Sequence, residues 1–156
     1  MHISLIALGQ KMPTWVNEGF EDYQSRLKQD IRLQLIEIPL SPRKDPNQLS
    51  AIQEKETKLV LSAIPEGAYV VTLDGKGREH SSESLAERLK TWQQQHQKMA
   101  LLIGAPEGLT PALKARAAES WSLGKLTLPH PLVRIVVVEA LYRAWSINHN
   151  HPYHRA

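Results

Sequence analysis

The last nine residues, 148–156, concentrate side chains able to do chemistry: His149, His151 and His154 lie beside Tyr153 and Arg155, with Pro152 stopping further helical growth. An imidazole moves protons near neutral pH, a phenol ring stacks on a nucleobase, and a guanidinium pairs with a phosphate or a developing oxyanion. Together they suit a nucleic-acid ligand, although a tail of this kind commonly frays. A metal site fits less well, because no carboxylate lies among the imidazoles and the spacing of His149 and His151 suits adventitious binding. His130 is clasped between Pro129 and Pro131, where it either presents its ring or organises a helix entrance.

Three further stretches carry glycines that let backbone approach a ligand. Gly75 and Gly77 begin a dinucleotide fingerprint, but His80 holds its third position and the first strand-turn-helix unit lacks the motif. Gly124-Lys125, followed by Leu126 and Thr127, is only superficially a phosphate loop, since the hydroxyl residue is displaced by one and Glu119 stands at the earlier glycine position. Gly104-Ala105-Pro106-Glu107-Gly108 combines two flexible positions and one rigid one, which serves a ligand loop or a tight strand-to-helix turn equally.

Apolar runs of strand length at residues 2–8, 32–38, 68–73 and 99–103 supply a frame for these loops. The segment at 32–38 alternates into Leu33, Leu35 and Ile36, while the others are nearly continuous, as in a sheet covered on both faces. Helical spacing recurs at residues 15–28, 49–63, 84–95 and 111–118, the last with Thr110 as N-cap and Pro111 at the first helical position. A weak strand is expected at residues 123–128. This alternation predicts an α/β fold, with residues 74–80, 104–109 and 129–131 at the carboxyl ends of strands, where open sheets bind ligands. Residues 41–48, with Pro42, Arg43, Lys44, Asp45 and Pro46, read as a surface loop.

The helix expected at residues 132–148 is apolar nearly all round, with Val133, Val137 and Leu141 on one face and Ile135, Val138 and Trp145 on others. Such a helix is buried on two sides, and a homodimer interface is one way to bury it. Its Arg134 and Arg143 would face RNA or the partner, with Glu139 as an ion-pair partner rather than a base.

Composition bounds the choice. The 156 residues fit one domain, residues 1–156, and leave little room for a separate recognition module. Nineteen Lys and Arg against sixteen Asp and Glu give a net charge of +3, which permits an anionic partner without demanding one. The absence of cysteine excludes disulfides, Cys-ligated zinc, iron-sulfur clusters and thiol nucleophiles, and makes a reducing cytoplasm the simplest home. No basic leader precedes the apolar start and no stretch reaches bilayer length, so a soluble, unexported chain is expected.

The strings Leu-Thr-Leu-Pro-His-Pro-Leu-Val-Arg at 126–134, Glu-Ala-Leu-Tyr-Arg-Ala-Trp at 139–145 and Pro-Tyr-His-Arg at 152–155 are more specific than the periodicity. With Ile6-Ala7-Leu8-Gly9-Gln10-Lys11-Met12-Pro13, Leu35-Ile36-Glu37-Ile38-Pro39 and Leu101-Leu102-Ile103-Gly104, the whole chain resembles the RlmH family. That family comprises the 23S rRNA (pseudouridine1915-N3)-methyltransferases, small members of the SPOUT superfamily. The resemblance implies a SPOUT-type sheet with helices on both faces, a C-terminal trefoil knot, a homodimer, and S-adenosyl-L-methionine as cofactor. Neither a metal nor a membrane is implied.

Carried over by position, the cofactor contacts would be Leu73, Gly104, Leu123, Gly124, Lys125, Leu126, Thr127 and Leu128. Backbone groups and apolar walls suffice to hold an adenosine, which explains the missing dinucleotide fingerprint. Residues 149–156 would form the substrate-facing tail, reaching across the dimer, with His154 assisting removal of the imide proton, Tyr153 stacking on the base and Arg155 stabilising an oxygen or phosphate. Ala105 departs from the family, which commonly has a second glycine there. With so low a net charge, the substrate would be 23S rRNA within the assembled ribosome rather than free RNA. Two rivals stand beside this: a non-catalytic ribosome-associated protein that has kept the fold, and a related methyltransferase acting on tRNA or another rRNA nucleotide, against which the tail motif argues.

Overall fold

Ile3, Leu5 and Ala7 of β1 (His2–Leu8) are buried in one core while Ile6 and Leu8 are buried in another, so the strand is covered on both faces. The computed structural model describes residues 1–27 and 29–155. After β1 come α1 (Thr14–Arg26), β2 (Arg32–Ile38), α2 (Leu49–Ala63), β3 (Tyr69–Glu79), α3 (Ser82–Gln95), β4 (Lys98–Ile103), α4 (Pro111–Arg116), β5 (Glu119–Ser122) and α5 (His130–Asn148). Short 3-10 turns at Pro46–Gln48 and Pro152–Arg155 precede α2 and follow α5. The strands pair in parallel in the order β2-β1-β4-β3-β5, giving the α/β architecture expected from the alternation.

Strand periodicity assigns the layers. Met99, Leu101 and Ile103 of β4 pack with Phe20 of α1, Leu89 and Trp92 of α3, and Val137 and Leu141 of α5. Ala100 and Leu102 point the other way, to Val60 of α2 and Leu113 of α4. Each fully buried Leu or Val contributes about 1.5–3 kcal/mol relative to exposure, which is what holds the strand ends in register. Among the described residues no helix is long and apolar enough to cross a membrane.

The all-round apolarity of α5 follows from its position against the sheet with α1 and α3 as neighbours. Gly19 lets α1 approach closely, since a Cβ there would lie 3.1 Å from Ile135 Cδ1.

Several expectations need correction. Residues 123–128 are not a strand; β5 lies earlier, and Gly124 at φ +123° turns the chain away from extended pairing. Leu126, 84% exposed, has neither sheet nor core against it. Residues 74–79 are not a loop, because β3 continues to Glu79 after an irregularity at which both Leu73 and Arg78 pair with Trp121. Gly77 is needed there: a Cβ would fall 2.8 Å from the Ser120–Trp121 backbone. Thr110 precedes α4 without capping it, since its hydroxyl is bonded to that of Thr57 at 2.8 Å. The helix expected at 15–28 ends at Arg26, and Lys28 lies outside the described residues. The helix expected at 111–118 likewise ends early, at Arg116.

Candidate active site

A cleft of about 720 Å³ opens at the carboxyl ends of β4 and β5, beside the irregularity in the middle of β3. Leu73, Gly104, Leu123, Gly124, Lys125, Leu126, Thr127 and Leu128 all line it, together with Ile103, Trp121 and Val133. Its walls are therefore chiefly apolar side chains and backbone, with Asp74, Glu107, Lys114 and Lys125 as charged members. The 123–128 segment is fastened at its start, where the Gly124 N–H donates to Ser122 Oγ at 3.2 Å.

The Gly104–Gly108 segment is a tight turn and a cleft wall at once. The Gly108 N–H donates to the Ala105 carbonyl at 2.8 Å, and Gly108 adopts φ +91°. A Cβ on Gly104 would lie 3.0 Å from the carbonyl group of Gly108, so any side chain there would push the turn open by a few tenths of an ångström. The Ala105 methyl packs at the edge of the α2 and α4 core.

From the other side this turn is held by Arg43. Its guanidinium meets Glu56 at 2.6 and 2.7 Å and Glu107 at 3.1 and 3.2 Å. The hydrogen bonds from Arg43 draw the Glu107 carboxyl below its ordinary range. The segment expected to be a surface loop thus contains an anchor for the cleft, because Glu56, 2% exposed, requires a cation.

Arg134, expected to face RNA or a partner, is instead 1% exposed. It donates to Glu37 Oε2 at 2.6 Å, to the Gly9 carbonyl at 2.8 Å and to His130 Nε2 at 3.0 Å. A cation in an apolar helix must find such acceptors, and the ends of β1 and β2 supply them. His130 lines the cleft, and burial and then the Arg134 charge lower its pKa below the ordinary value. Arg143 pairs with Glu139 at 2.8 Å, the ion pair expected for that carboxylate.

The tail is packed against α5 rather than frayed. Tyr153 lies among Tyr23, Tyr142 and Arg143, with ring centroids 4.6 Å from Tyr142 and the Arg143 guanidinium carbon 4.9 Å from its centre. Burial, then hydrogen bonding with Tyr23 and Glu139, raises the Tyr153 pKa, so its hydroxyl stays a donor. His154 has a buried Nδ1 without a hydrogen-bond partner among the described residues. Tyr153, His154 and Arg155 are not among the cleft-lining residues, so within one chain the tail and the cleft are separate. Among the described residues no group of three or more His, Asp or Glu is placed to hold a metal ion.

One cluster escaped the sequence reading. Glu119 accepts from Tyr69 at 2.6 Å, Trp92 at 2.9 Å and the Arg88 guanidinium. Burial alone would raise its carboxyl, yet these donors together hold it at about 2. The only local signal was a charged residue at the start of a short strand.

A family model described as predicted SPOUT methyltransferase matches residues 1–154. The chain is 59% identical, over all 156 residues and the full length of the relative, to a Dichelobacter nodosus protein named Ribosomal RNA large subunit methyltransferase H. Among solved structures, a probable methylase family protein from Haemophilus influenzae Rd KW20 aligns with 97% of this chain and 67% of its own at 13% identity and a TM-score of 0.57. A putative methylase family protein from Neisseria gonorrhoeae aligns with 90% of this chain and 81% of its own, also at 13% identity, with a TM-score of 0.52. At these identities the two structures speak to the fold alone.

Proposed function

Because the chain belongs to the SPOUT methyltransferases and, within them, to the RlmH family, we propose that it methylates N3 of pseudouridine 1915 in 23S rRNA of assembled ribosomes, using S-adenosyl-L-methionine. The observation that carries this reading is the 59% identity, end to end, with a protein named as a large-subunit rRNA methyltransferase. The cytoplasm, where that substrate is found, is the place of action.

The cleft suits the cofactor. Its volume of about 720 Å³ is that of a small-molecule site, and its apolar walls and open glycine backbone match a ligand held without a dedicated acidic residue. Leu73, Gly104 and residues 123–128 would hold it. When bound, S-adenosyl-L-methionine supplies the activated methyl group.

The protein's own residues then have to align a base, remove one proton and keep water out. Tyr153 stacks on the base, His154 takes the proton from N3, and Arg155 steadies the imide oxygen or a neighbouring phosphate. Since the tail stands apart from the cleft of its own chain, the site is completed in a homodimer, the tail of one protomer facing the cleft of the other. The exposed Trp15 and Leu132, 54% and 37% accessible on α1 and α5, support an apolar interface there. A C-terminal trefoil knot is part of the same proposal, on the family membership alone.

The test is transfer of labelled methyl from S-adenosyl-L-methionine to ribosomes lacking the modification, with mass spectrometry of the isolated nucleoside. N3-methylpseudouridine is expected. Methyl on tRNA or on another rRNA nucleotide would overturn the substrate, absence of methyl despite cofactor binding would leave a binding protein, and equal turnover on naked rRNA would refute the ribosome requirement.

A further inference from the structure

A second cleft, of about 380 Å³, lies where the end of α1 meets α5 and the start of the tail. Ser25, Arg26, Gln29, Tyr142, Trp145 and His151 line it, and none of them lines the larger cleft. Its size falls in the range of about 300–1,000 Å³ that small-molecule sites occupy.

Three aromatic rings shape its wall. Tyr142 and Trp145 lie nearly parallel, 16° apart with centroids at 5.8 Å, and the His151 ring stands across both, at 63° and 50°. The Trp145 indole N–H donates to Asp30 at 3.0 Å, which holds that ring in place. The Tyr153 N–H donates to His151 Nδ1 at 3.2 Å, so this nitrogen offers a lone pair and the hydrogen of the neutral imidazole sits on Nε2. Arg26 meets Asp22 through Nε and Nη2, at 3.4 and 3.1 Å, which leaves Nη1 and its hydrogens uncommitted among the described residues. The cleft thus sets N–H donors beside aromatic surface, while the Arg26 charge is already matched by Asp22. A free phosphate gains little from a balanced ion pair in water. A nucleobase has a ring to pack and carbonyl oxygens to accept, and so uses everything the wall presents.

We propose that this cleft takes the base of an unpaired nucleotide next to the target in single-stranded rRNA. This rests on the reading of the chain as an rRNA methyltransferase whose tail meets the substrate. Tyr153, the ring assigned to the target base, lies 4.6 Å from Tyr142, and the Arg26 guanidinium carbon is 5.7 Å from the centres of both rings. The two base positions therefore share a wall, as neighbouring nucleotides of one strand require. A net charge of +3 gives little affinity for the RNA backbone, and gripping a second unpaired base supplies the hold that charge does not.

The experiment uses the full-length chain. Proton–nitrogen NMR spectra are recorded while uridine monophosphate, guanosine monophosphate and inorganic phosphate are added in turn. A nucleotide should shift the side-chain signals of Arg26 and Gln29 and the Trp145 indole N–H, and phosphate alone should not. His151→Asn keeps an acceptor for the Tyr153 N–H but removes the ring and the Nε2 donor, and Arg26→Gln removes Nη1. Both side chains are exposed, so the fold should tolerate the changes. Each variant should raise KM for ribosomes about three- to tenfold, the scale of one lost hydrogen bond, with kcat within about twofold. Binding of S-adenosylhomocysteine and the sedimentation coefficient should stay as in the unsubstituted protein. Shifts reproduced by phosphate would mean an adventitious ion only and would overturn the inference. A fall in kcat at constant KM would also overturn it, as would a changed oligomeric state, which assigns this face to a second copy. If the unsubstituted protein moves no methyl to ribosomes, the underlying reading fails; absence of nucleotide shifts at the cleft overturns this inference by itself.

Discussion

The phenolic hydroxyl of Tyr153 donates to Glu139 at 2.8 Å, and the same carboxylate oxygen accepts from Arg143. The end of the chain is thereby docked on the middle of α5, where it presents His154 and Arg155 from a folded platform. A chain ended after Asn150 should bind S-adenosylhomocysteine as the whole protein does, yet transfer no methyl to ribosomes. Calorimetry and a methyl-transfer assay on the same preparation check both halves.

Gly104→Ala puts a methyl group against the Gly108 carbonyl, 3.0 Å away, in a turn already closed by a hydrogen bond. The turn must open by a few tenths of an ångström, and the cleft wall moves with it. Affinity for S-adenosylhomocysteine should fall by about tenfold or more, while overpacking strain lowers stability by about 1–3 kcal/mol. Binding calorimetry and urea unfolding separate the two effects.

Arg43 stands between the buried Glu56 and the cleft residue Glu107. Arg43→Ala should cost about 2–4 kcal/mol, mostly from leaving the Glu56 charge without its partner. Glu107→Gln touches the more exposed end and should cost under about 1 kcal/mol. Urea denaturation midpoints of the two variants should differ accordingly.

Glu119 makes an acid-sensitive contribution. Its carboxyl sits at about 2 in the folded protein, against an ordinary value of 4.5. The folded state thus holds its proton less tightly than the unfolded chain, so the stabilisation is complete above pH 4.5 and is lost as pH falls toward about 2. Glu119→Gln should be less stable at neutral pH and should show a flatter fall in melting temperature across that acid window. Parallel curves for the two proteins would refute this.

What the sequence disclosed depended on how local the cause was. The strand at 2–8 was legible because burial on both faces writes itself into consecutive residues, whereas the edge strand at 32–38 keeps only Leu33 and Ile38 buried and showed itself as an alternation. The weak strand expected at residues 123–128 is absent because these residues line a cleft instead of joining a sheet. The cleft residues were named through the family resemblance; periodicity located only the loops. Arg134 was misplaced because its acceptors on Gly9 and Glu37 are 125 and 97 residues away. A lone cation in an otherwise apolar helix was the available sign that such acceptors existed. Docking of the tail was equally hidden, since Tyr23 meets Tyr153 only in three dimensions.

The place of β1 between β2 and β4 governs how the polypeptide can reach this state. His2 pairs with Arg32 on one side and with Lys98 on the other, so during synthesis one edge of the first strand is satisfied early and the other waits for most of the chain. Val137 and Leu141, which complete the core beneath that strand, emerge later still. A nascent chain therefore carries an open apolar edge until β4 has emerged, and the core closes only once α5 follows. Pairing across such sequence distances belongs to the slow, millisecond-to-second class, and that waiting interval is when the protein is most exposed to aggregation.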